Sequence, residues 1–325
     1  MKLDILIPHY KELPEEIEPL LNSIALQQSI NFKNINVIIV CDGPEAISLK
    51  PLDNWNKYPF KIKIIELPEH VGVSACRNAA LDTSKADYVM FCDADDMFCD
   101  VCGLYIIFHE MEMGFDTLVS CFREESRNPE NKKEILYINH DMDSTFVHGK
   151  VHRRKYLIDN KIRFNDKLTI HEDSYFNILA QNLTDNAKYC PLPFYLWRWR
   201  DTSVCRHDPD YILKTYNNML DSNDALIDEF VKHMRDDKAN FYVGFMVMDA
   251  YYTMNKPEWL DKTNANYRTA VEKRFAQYWK KHKSQFEKLN DKERMEISVG
   301  VRDRSAQEGM LMEAITLDQW LKSIE

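Results

Sequence analysis

Short apolar runs alternate with amphipathic helical patterns over the first 122 residues of the chain. The apolar runs, typical of buried strands, cover residues 3–7, 35–41, 60–67, 88–92 and 117–122. Apolar residues at helical spacing cover residues 14–28 and 74–83, and again extend from Val101 to Met111. Strands that alternate with helices form βαβ units. The pattern therefore predicts an α/β fold with a mostly parallel sheet flanked by helices.

Beyond about residue 208 the pattern becomes helical throughout. Amphipathic helices are predicted over residues 212–234, 241–254 and 267–282, with a short one over 317–324. We predict two domains, an α/β domain of residues 1–208 and an all-helical C-terminal region of residues 209–325. The helical region is a candidate for binding a partner molecule or for assembling a homo-oligomer.

Charge is unevenly distributed along the chain. The formal net charge of −10 disfavours non-specific nucleic-acid binding by the whole surface. Residues 262–294, which we call the basic segment, nevertheless carry ten lysines and arginines against four acidic residues. A solvated helical face is the simpler interpretation of this segment. The alternative is a docking patch for an anionic acceptor or for peripheral contact with a lipid surface.

No segment predicts export or membrane insertion. Asp4 and Pro8 interrupt the apolar core that a signal peptide needs, and no window approaches the roughly 18–20 apolar residues of a membrane span. We therefore expect a cytoplasmic protein without a transmembrane segment, whose cysteines are reduced thiols. Cys99 and Cys102 form a CxxC pair with no second pair at zinc-finger spacing, so semi-buried thiols are favoured over structural zinc.

Polar side chains follow three of the predicted strands. The first strand runs into Pro8-His9-Tyr10, the second into Asp42-Gly43 and the fourth into Asp93-Ala94-Asp95-Asp96. Ligands of open α/β sheets bind beyond the carboxyl ends of the strands. Each of these ends is also compatible with an ordinary turn, but together they predict a nucleotide-binding crevice.

The acidic cluster formed by Asp93, Asp95 and Asp96 predicts a metal site. Carboxylates this close repel one another unless a cation or hydrogen bonds compensate. A hard divalent ion held by one or two carboxylates and by diphosphate oxygens meets this requirement. The alternative is a helix N-cap, in which Asp96 or Asp100 simply starts the following helix. That alternative explains one aspartate and not three.

Several motifs follow one another in a fixed order: Asp4-Ile5-Leu6-Ile7-Pro8-His9-Tyr10, Val40-Cys41-Asp42-Gly43, Gly72 with Arg77-Asn78, Asp93-Ala94-Asp95, His148-Gly149-Lys150, and Ile170-His171-Glu172-Asp173. Together they resemble glycosyltransferase family 2, inverting enzymes of the GT-A fold. The resemblance covers roughly residues 1–205 and not the helical C-terminal region. The chain departs from the family pattern at Lys11 and at His70-Val71, where the family usually has asparagine.

The resemblance implies a nucleoside diphosphate sugar donor, most often UDP-linked, and Mn²⁺ or Mg²⁺ as cofactor. Pro8, Tyr10 and Asp42 would then line the pocket for the base and the ribose. Arg77 would lie near the diphosphate or the sugar, in keeping with a cation for phosphate at the start of a helix.

The metal ligands and the catalytic residues also follow from the resemblance. Asp95 would be the direct metal ligand, and Asp93 would approach the ribose or the metal. Asp173 matches the catalytic base, and Glu172 would help to orient donor or acceptor. One base suffices when the leaving group is a metal-bound diphosphate, whereas glycoside hydrolysis needs a paired acid. Asp173 opens a helical run, where the macrodipole favours an ionised carboxylate. An N-capping aspartate is the alternative.

Cations and a histidine follow the predicted catalytic base. Arg198 or Arg206 is a candidate for holding diphosphate oxygens. His207 is a candidate for completing the metal shell, as a late histidine does in some related enzymes. The bland alternative for His207 is a structural or surface-exposed side chain.

Aromatic residues supply candidates for sugar contacts. Trp197 and Trp199 are predicted to alternate on a strand, with one stacking on a sugar and the other packing in the core. His148, which follows the strand-like residues 145–147, is a candidate for the acceptor side.

Other functions stay open at this point. A nucleotidyltransferase would need a glycine-rich basic loop after the first strand, which residues 8–12 lack. A phosphatase would use Asp93 as nucleophile and Asp95 as acid. A catalytically inactive nucleotide-sugar-binding module is disfavoured by the presence of Asp95 and Asp173. A surface glycan is favoured as the acceptor over a modified base in DNA. Only the basic segment and the lack of a membrane anchor favour the DNA base.

Overall fold

The computed structural model describes residues 1–49, 57–128, 130–200, 210–307 and 316–324. The chain divides into two compact units, Met1–Ser203 and Val204–Glu325. The domain boundary predicted at residue 208 falls among residues 201–209, which lie outside the described residues.

The first half of the sheet is parallel. It consists of β1 (Leu3–His9), β2 (Ile35–Cys41), β3 (Lys61–Glu66) and β4 (Tyr88–Phe91) in the order β3-β2-β1-β4. The side chains of Ile5, Leu6 and Ile7 point alternately to the two faces of the sheet and are all fully buried, because a parallel sheet is covered on both faces. This double burial explains why β1, β2 and β4 appear in the sequence as largely apolar runs. The edge strand β3 is only partly buried.

Three helices follow these strands. They are α1 (Pro14–Ala25), α2 (Val73–Thr83) and α3 (Gly103–Met113). Helix α1 begins at Pro14, whose fixed φ suits the first helical position, and Glu16 accepts a hydrogen bond from the Leu13 N–H at 2.7 Å. The helix ends at Ala25, three residues before the predicted end at residue 28.

The second half of the sheet is mostly antiparallel. The order continues β4-β8-β6-β9-β5, with β7 paired to β6, and only β6 and β9 run parallel in this half of the described sheet. The strands are β5 (Met97–Phe98), β6 (Thr117–Arg127), β7 (Ile135–His140), β8 (Lys150–Arg153) and β9 (Ala187–Trp197), and the helices are α4 (Arg154–Asp159) and α5 (Glu172–Asn182). The predicted strand at residues 145–147 is wrong, because these residues form bends before β8. The α/β fold class is confirmed, but the described sheet is mixed and not mostly parallel as predicted, because half of its strand pairings are antiparallel.

The second unit is helical, as predicted. Its helices are α6 (Tyr211–Lys214), α7 (Tyr216–Lys232), α8 (Asp236–Met254), α9 (Pro257–Lys262), α10 (Ala265–Glu287), α11 (Asp291–Gln307) and α12 (Leu317–Ile324). The helix predicted over 212–234 is divided at Thr215, which precedes α7. Within the described part of the chain, no helix combines the length and apolar character that crossing a bilayer requires.

Acidic side chains of α7 neutralise part of the basic segment. Asp224 accepts hydrogen bonds from Arg274 at 2.8 Å, Lys281 at 2.7 Å and His282 at 2.7 Å. These donors hold the pKa of the Asp224 carboxyl well below its ordinary value, against the effect of partial burial. Arg274 and Lys281 therefore belong to an internal ion-pair network.

Candidate active site

A cleft of about 340 Å³ opens at the carboxyl ends of β1, β2 and β4. It brings together the three predicted strand ends, with residues from the start of α2 and from beyond β9. Its lining comprises Pro8, His9, Tyr10, Glu12, Asp42, His70, Gly72, Val73, Cys76, Arg77, Asp93, Ala94, Asp95 and Arg200. Six predicted site residues are among them: Pro8, Tyr10, Asp42, Arg77, Asp93 and Asp95.

Asp42 ties the end of β2 to the loop before α2. Its Oδ1 accepts the Val71 N–H at 2.7 Å and its Oδ2 accepts the Gly72 N–H at 3.0 Å. Gly43 has φ +83°, and a Cβ there would lie 2.5 Å from the backbone nitrogen of His70. The loop can pack this closely only because residue 43 is glycine.

The two departures from the family pattern lie beside Tyr10. The His70 ring stacks on the Tyr10 ring with centroids 4.4 Å apart, and its Nδ1 lies 2.8 Å from Asp42 Oδ2. Lys11 Nζ lies 4.3 Å from the centroid of the Tyr10 ring. His70 and Glu12 line the cleft and were not among the predicted site residues. His70 was noted only as a departure from the family pattern.

Arg77 connects the cleft to the predicted catalytic base. Its Nη2 donates to Asp93 Oδ1 at 2.9 Å, and its Nη1 donates to Asp173 Oδ1 at 2.5 Å and to Glu172 Oε1 at 3.3 Å. The guanidinium is almost fully buried, and the three carboxylates raise its pKa against the opposing effect of that burial. Arg77 is therefore a fixed positive charge shared by both sides of the site.

Asp173 and Glu172 lie in the first turn of α5, behind Arg77 and outside the set of residues that line the cleft. The N-cap position is His171, in the left-handed region at φ 65°, so the alternative of Asp173 as an N-cap is wrong. Burial raises the pKa of Asp173 to about 8; Arg77 opposes this shift and Glu172 adds to it. From the helix macrodipole alone, the sequence predicted an ionised Asp173 carboxylate and so a pKa shift in the opposite direction. Burial of the carboxyl outweighs the effect of that dipole.

Arg200 also lines the cleft and was not among the predicted site residues. Its Nη1 donates to Asp95 Oδ2 at 2.9 Å and its Nη2 to Glu16 Oε1 at 2.8 Å. Arg198 and Arg206 were the predicted diphosphate ligands. Arg206 lies outside the described residues, and Arg198 does not line the cleft, since its Nη1 donates to the Asp95 carbonyl oxygen at 3.0 Å. Arg198 and Arg200 both lie in the cationic stretch, and spacing alone did not distinguish them.

Asp96 is a buried anchor and not a helix cap, so that alternative is wrong. It is fully buried, and its carboxylate accepts the Tyr195 hydroxyl at 2.7 Å and the Arg198 backbone N–H at 3.0 Å. The Tyr195 hydroxyl in turn accepts the Asp93 N–H at 3.1 Å. Burial and the neighbouring Asp95 raise the pKa of Asp96 well above its ordinary value. Asp96 thus fixes the turn that presents Asp93 and Asp95.

His148 is buried and cannot contact an acceptor directly, contrary to prediction. It exposes 2% of its surface and is surrounded by four aromatic rings with centroids 5.1–5.3 Å away: Phe122, Phe146, Tyr195 and Trp197. Trp197 is therefore the core-packing tryptophan of the predicted pair. Trp199 lies beyond the end of β9, with the Arg127 guanidinium 6.0 Å from its ring centroid.

Two groups of side chains could hold a divalent ion. Asp93, Asp96 and His148 bring their ligand atoms within 4.8 Å of one another, but Asp96 and His148 are buried behind the cleft. Asp93 and Asp95 line the cleft and keep 31% and 22% of their side-chain surface exposed. A hard ion that also binds diphosphate oxygens needs such exposed carboxylates. Asp93 and Asp95 therefore fit the ion better, and the third predicted ligand, His207, lies outside the described residues.

The cleft lies at the switch point of an α/β sheet, the position at which proteins of this class bind their ligands. The model of the Glycosyl transferase family 2 matches residues 4–172, more than half of the chain. The chain belongs to this family, and the resemblance drawn from its motifs is confirmed.

Curated relatives are glycosyltransferases of bacteria. Glycosyltransferase GlyA of Streptococcus pneumoniae is 26% identical over 227 residues, covering 63% of this chain and 32% of GlyA. The poly(ribitol-phosphate) beta-N-acetylglucosaminyltransferase TarS of Staphylococcus aureus is 26% identical over 194 residues, covering 55% of this chain and 32% of TarS. The chain thus spans about a third of the length of these two relatives.

Solved structures show the same fold. S. aureus TarS 1–349 in complex with UDP-GlcNAc superposes with a TM-score of 0.67 at 16% identity, covering 86% of this chain and 80% of that one. A mannosyltransferase from Pyrobaculum calidifontis in complex with GDP-Man and Mn²⁺ has a TM-score of 0.52 at 14% identity, covering 89% and 88%. The GT-A fold is confirmed by these likenesses.

Proposed function

We propose that this chain is an inverting glycosyltransferase that moves a sugar from a UDP-sugar to an acceptor hydroxyl. Membership of glycosyltransferase family 2 supports the reaction class. A UDP-linked donor is supported by TarS, which shares the fold and has been solved with UDP and with UDP-GlcNAc.

The Arg77 network is the observation on which the proposal rests. Inversion requires a base on the side of the anomeric carbon opposite the departing diphosphate. Arg77 contacts Asp93 in the cleft at 2.9 Å and Asp173 at the start of α5 at 2.5 Å. A single guanidinium therefore links a donor-side carboxylate to a candidate base over the short distance that such a displacement needs.

Each residue then has a specific role. Pro8, Tyr10 and Asp42 hold the base and the ribose at the ends of β1 and β2. Asp173 accepts the proton of the attacking hydroxyl, and Glu172 orients the reacting groups beside it.

A divalent ion, Mn²⁺ or Mg²⁺, completes the proposed site. Asp95 and Asp93 hold it, since both carboxylates face the cleft. When bound, such an ion neutralises the charge that grows on the departing diphosphate. The mannosyltransferase that shares the fold was solved with Mn²⁺, which supports the assignment.

The acceptor we propose is a hydroxyl of a surface glycan. TarS is named for its action on poly(ribitol-phosphate), and GgaB of Bacillus subtilis, 28% identical over 181 residues, is a minor teichoic acid biosynthesis protein. A modified DNA base is less well supported, because Arg274 and Lys281 of the basic segment are already paired with acids of α7. We assign residues 209–325 to acceptor binding or assembly.

Two experiments test this function. The first is a calorimetric titration with UDP in the presence and absence of Mn²⁺, and the second is a mass-spectrometric screen of UDP-sugars against glycan acceptors. We expect UDP to bind only when the ion is present, and a sugar to be transferred with inversion. Asp95→Ala should abolish the metal-dependent binding. Arg163→Gln, which removes a surface ion pair with Asp82, serves as the matched control and should bind UDP like the parent chain. Absence of metal-dependent binding for every nucleoside diphosphate would refute the proposal, and binding without turnover would indicate an inactive binding module.

A further inference from the structure

Arg200 occupies the surroundings of the candidate metal ligand. Its guanidinium contacts two carboxylates: Nη1 lies 2.9 Å from Asp95 Oδ2, and Nη2 lies 2.8 Å from Glu16 Oε1. A third, Glu12 Oε1, lies 4.0 Å from Nη1. The guanidinium keeps 24% of its side-chain surface exposed and lines the cleft. Asp95 thus already has a cationic partner.

A divalent ion and a guanidinium cannot both bind the same carboxylate oxygen closely, because two cations at that distance repel strongly in a partly desolvated cleft. An ion that binds Asp95 Oδ2, alone or together with Oδ1, therefore competes with Arg200. The displaced guanidinium would still lie in the cleft, with a planar fork that suits diphosphate oxygens.

We infer that Arg200 is an exchangeable counter-ion, which pairs with Asp95 in the free protein and moves to the diphosphate when the ion and the nucleotide bind. The inference rests on the proposed function and deepens it, since it assigns the order and the coupling of donor and metal binding. Metal alone binds weakly because it must displace Arg200. Once the diphosphate offers Arg200 a new partner, ion and nucleotide bind cooperatively and reciprocally.

Arg200→Gln separates this role from a structural one. Mn²⁺ is titrated first without nucleotide, with free Mn²⁺ followed by electron paramagnetic resonance, and UDP is then titrated at saturating Mn²⁺ by calorimetry. We expect Arg200→Gln to bind Mn²⁺ alone about tenfold more tightly than the parent chain does, and to bind UDP about tenfold more weakly. A change of about tenfold in affinity is what the loss of one partly buried charge pair produces. A side chain that merely supported the fold would weaken both.

Two controls define the result. Arg200→Lys keeps the charge but not the fork, so it should leave the affinity for Mn²⁺ alone close to that of the parent chain and still weaken UDP binding. It also provides the test if Arg200→Gln does not fold, which its thermal unfolding would reveal. Arg163→Gln removes a surface arginine with its own acidic partner and should change neither affinity.

Unchanged affinity of Arg200→Gln for Mn²⁺ alone overturns the inference; this is the outcome if the ion binds Asp93, Asp96 and His148 instead. The proposed function would survive that result, because metal-dependent UDP binding would persist. If UDP fails to bind the parent chain with any divalent ion, the proposed function fails. A rise in Mn²⁺ affinity in Arg200→Gln would then still establish the competition at Asp95.

Discussion

Each carboxylate around the cleft has a specific internal partner. Asp42 is bound by backbone N–H groups, Asp93 by Arg77, Asp95 by Arg200 and Asp96 by Tyr195. Such pairing makes a dense cluster of acids tolerable without an ion. The partners differ in what releases them. Arg200 is partly exposed in the cleft and can be drawn to phosphate, whereas Arg77 is buried among three carboxylates and the Tyr195 hydroxyl is buried as well.

Asp173→Asn tests the candidate base. The amide oxygen can still accept a hydrogen bond from Arg77 but cannot take up the acceptor proton, so turnover should fall by about 10²–10⁴-fold. UDP affinity at saturating Mn²⁺ should stay close to that of the parent chain, because Asp173 lies outside the cleft lining. Initial-rate kinetics and calorimetry on the same preparation measure the two quantities. Full activity in this variant would show that another group is the base.

The pH dependence of kcat/KM provides a second test of Asp173. A carboxyl with a raised pKa stays protonated to higher pH and is then unable to act as a base. The rate should therefore increase with pH and level off above about 8, the value to which burial raises the Asp173 pKa. Glu172 contributes to that shift, so Glu172→Gln should move the rising limb to lower pH. A limb that stays in place in Glu172→Gln would exclude Asp173 as the titrating group.

At the scale of elements, the turn after β2 and the loop before α2 act as one unit. Asp42 and Gly43 end the strand, and the loop at residues 69–72 closes against them through hydrogen bonds to both carboxylate oxygens. The stacked His70 and Tyr10 rings connect the same loop to the end of β1. The shape of the proposed base pocket therefore depends on how closely this loop packs.

Gly43→Ala should disturb that packing. The new Cβ would lie 2.5 Å from His70 N and 2.7 Å from the Glu69 carbonyl carbon, and both are backbone atoms that can yield only if the loop moves. We expect a lower melting temperature and weaker UDP binding. Gly114→Ala is the matched control, since it has a similar φ of +76° but its Cβ meets only an Arg153 side-chain nitrogen at 3.5 Å. Both variants place a side chain at positive φ, so equal effects would contradict the role of loop packing.

Some elements were predictable from the sequence and others were not, for physical reasons. Strands β1 and β2 were, because burial on both faces leaves a continuous apolar run. Strand β7 has an exposed, irregular pattern and gave no such signal. The buried anchoring role of Asp96 was not predictable, because its partner Tyr195 is 99 residues away and only the fold brings them together. Likewise, Arg200 rather than Arg198 lines the cleft because of where β9 ends, which sequence spacing does not show.

At the scale of the whole molecule, the distribution of charge favours a glycan acceptor over a modified base in DNA. The net charge of −10 repels a polyanion over the surface as a whole. The basic segment is the main local exception, and several of its cations are already paired. Arg274 contacts Asp221 and Asp224, Lys281 contacts Asp224 and Asp228, and Lys262 contacts Asp210. Paired cations offer little to a phosphate backbone, because each new contact breaks an existing one.

We therefore expect the chain to show no salt-dependent binding to duplex DNA. Binding that used several lysines and arginines of the basic segment would release counter-ions, and its affinity would fall steeply with salt. Fluorescence anisotropy of a labelled duplex at low and at near-physiological salt measures this directly. A parallel titration of Asp224→Asn removes the negative charge that Arg274 and Lys281 share and leaves each cation only its second acid, Asp221 or Asp228; it shows whether weaker pairing of these cations can create such binding. Tight, salt-sensitive binding by the parent chain would favour a modified DNA base as the acceptor. Binding by Asp224→Asn but not by the parent chain would show that the acids of α7 prevent this surface from binding polyanions.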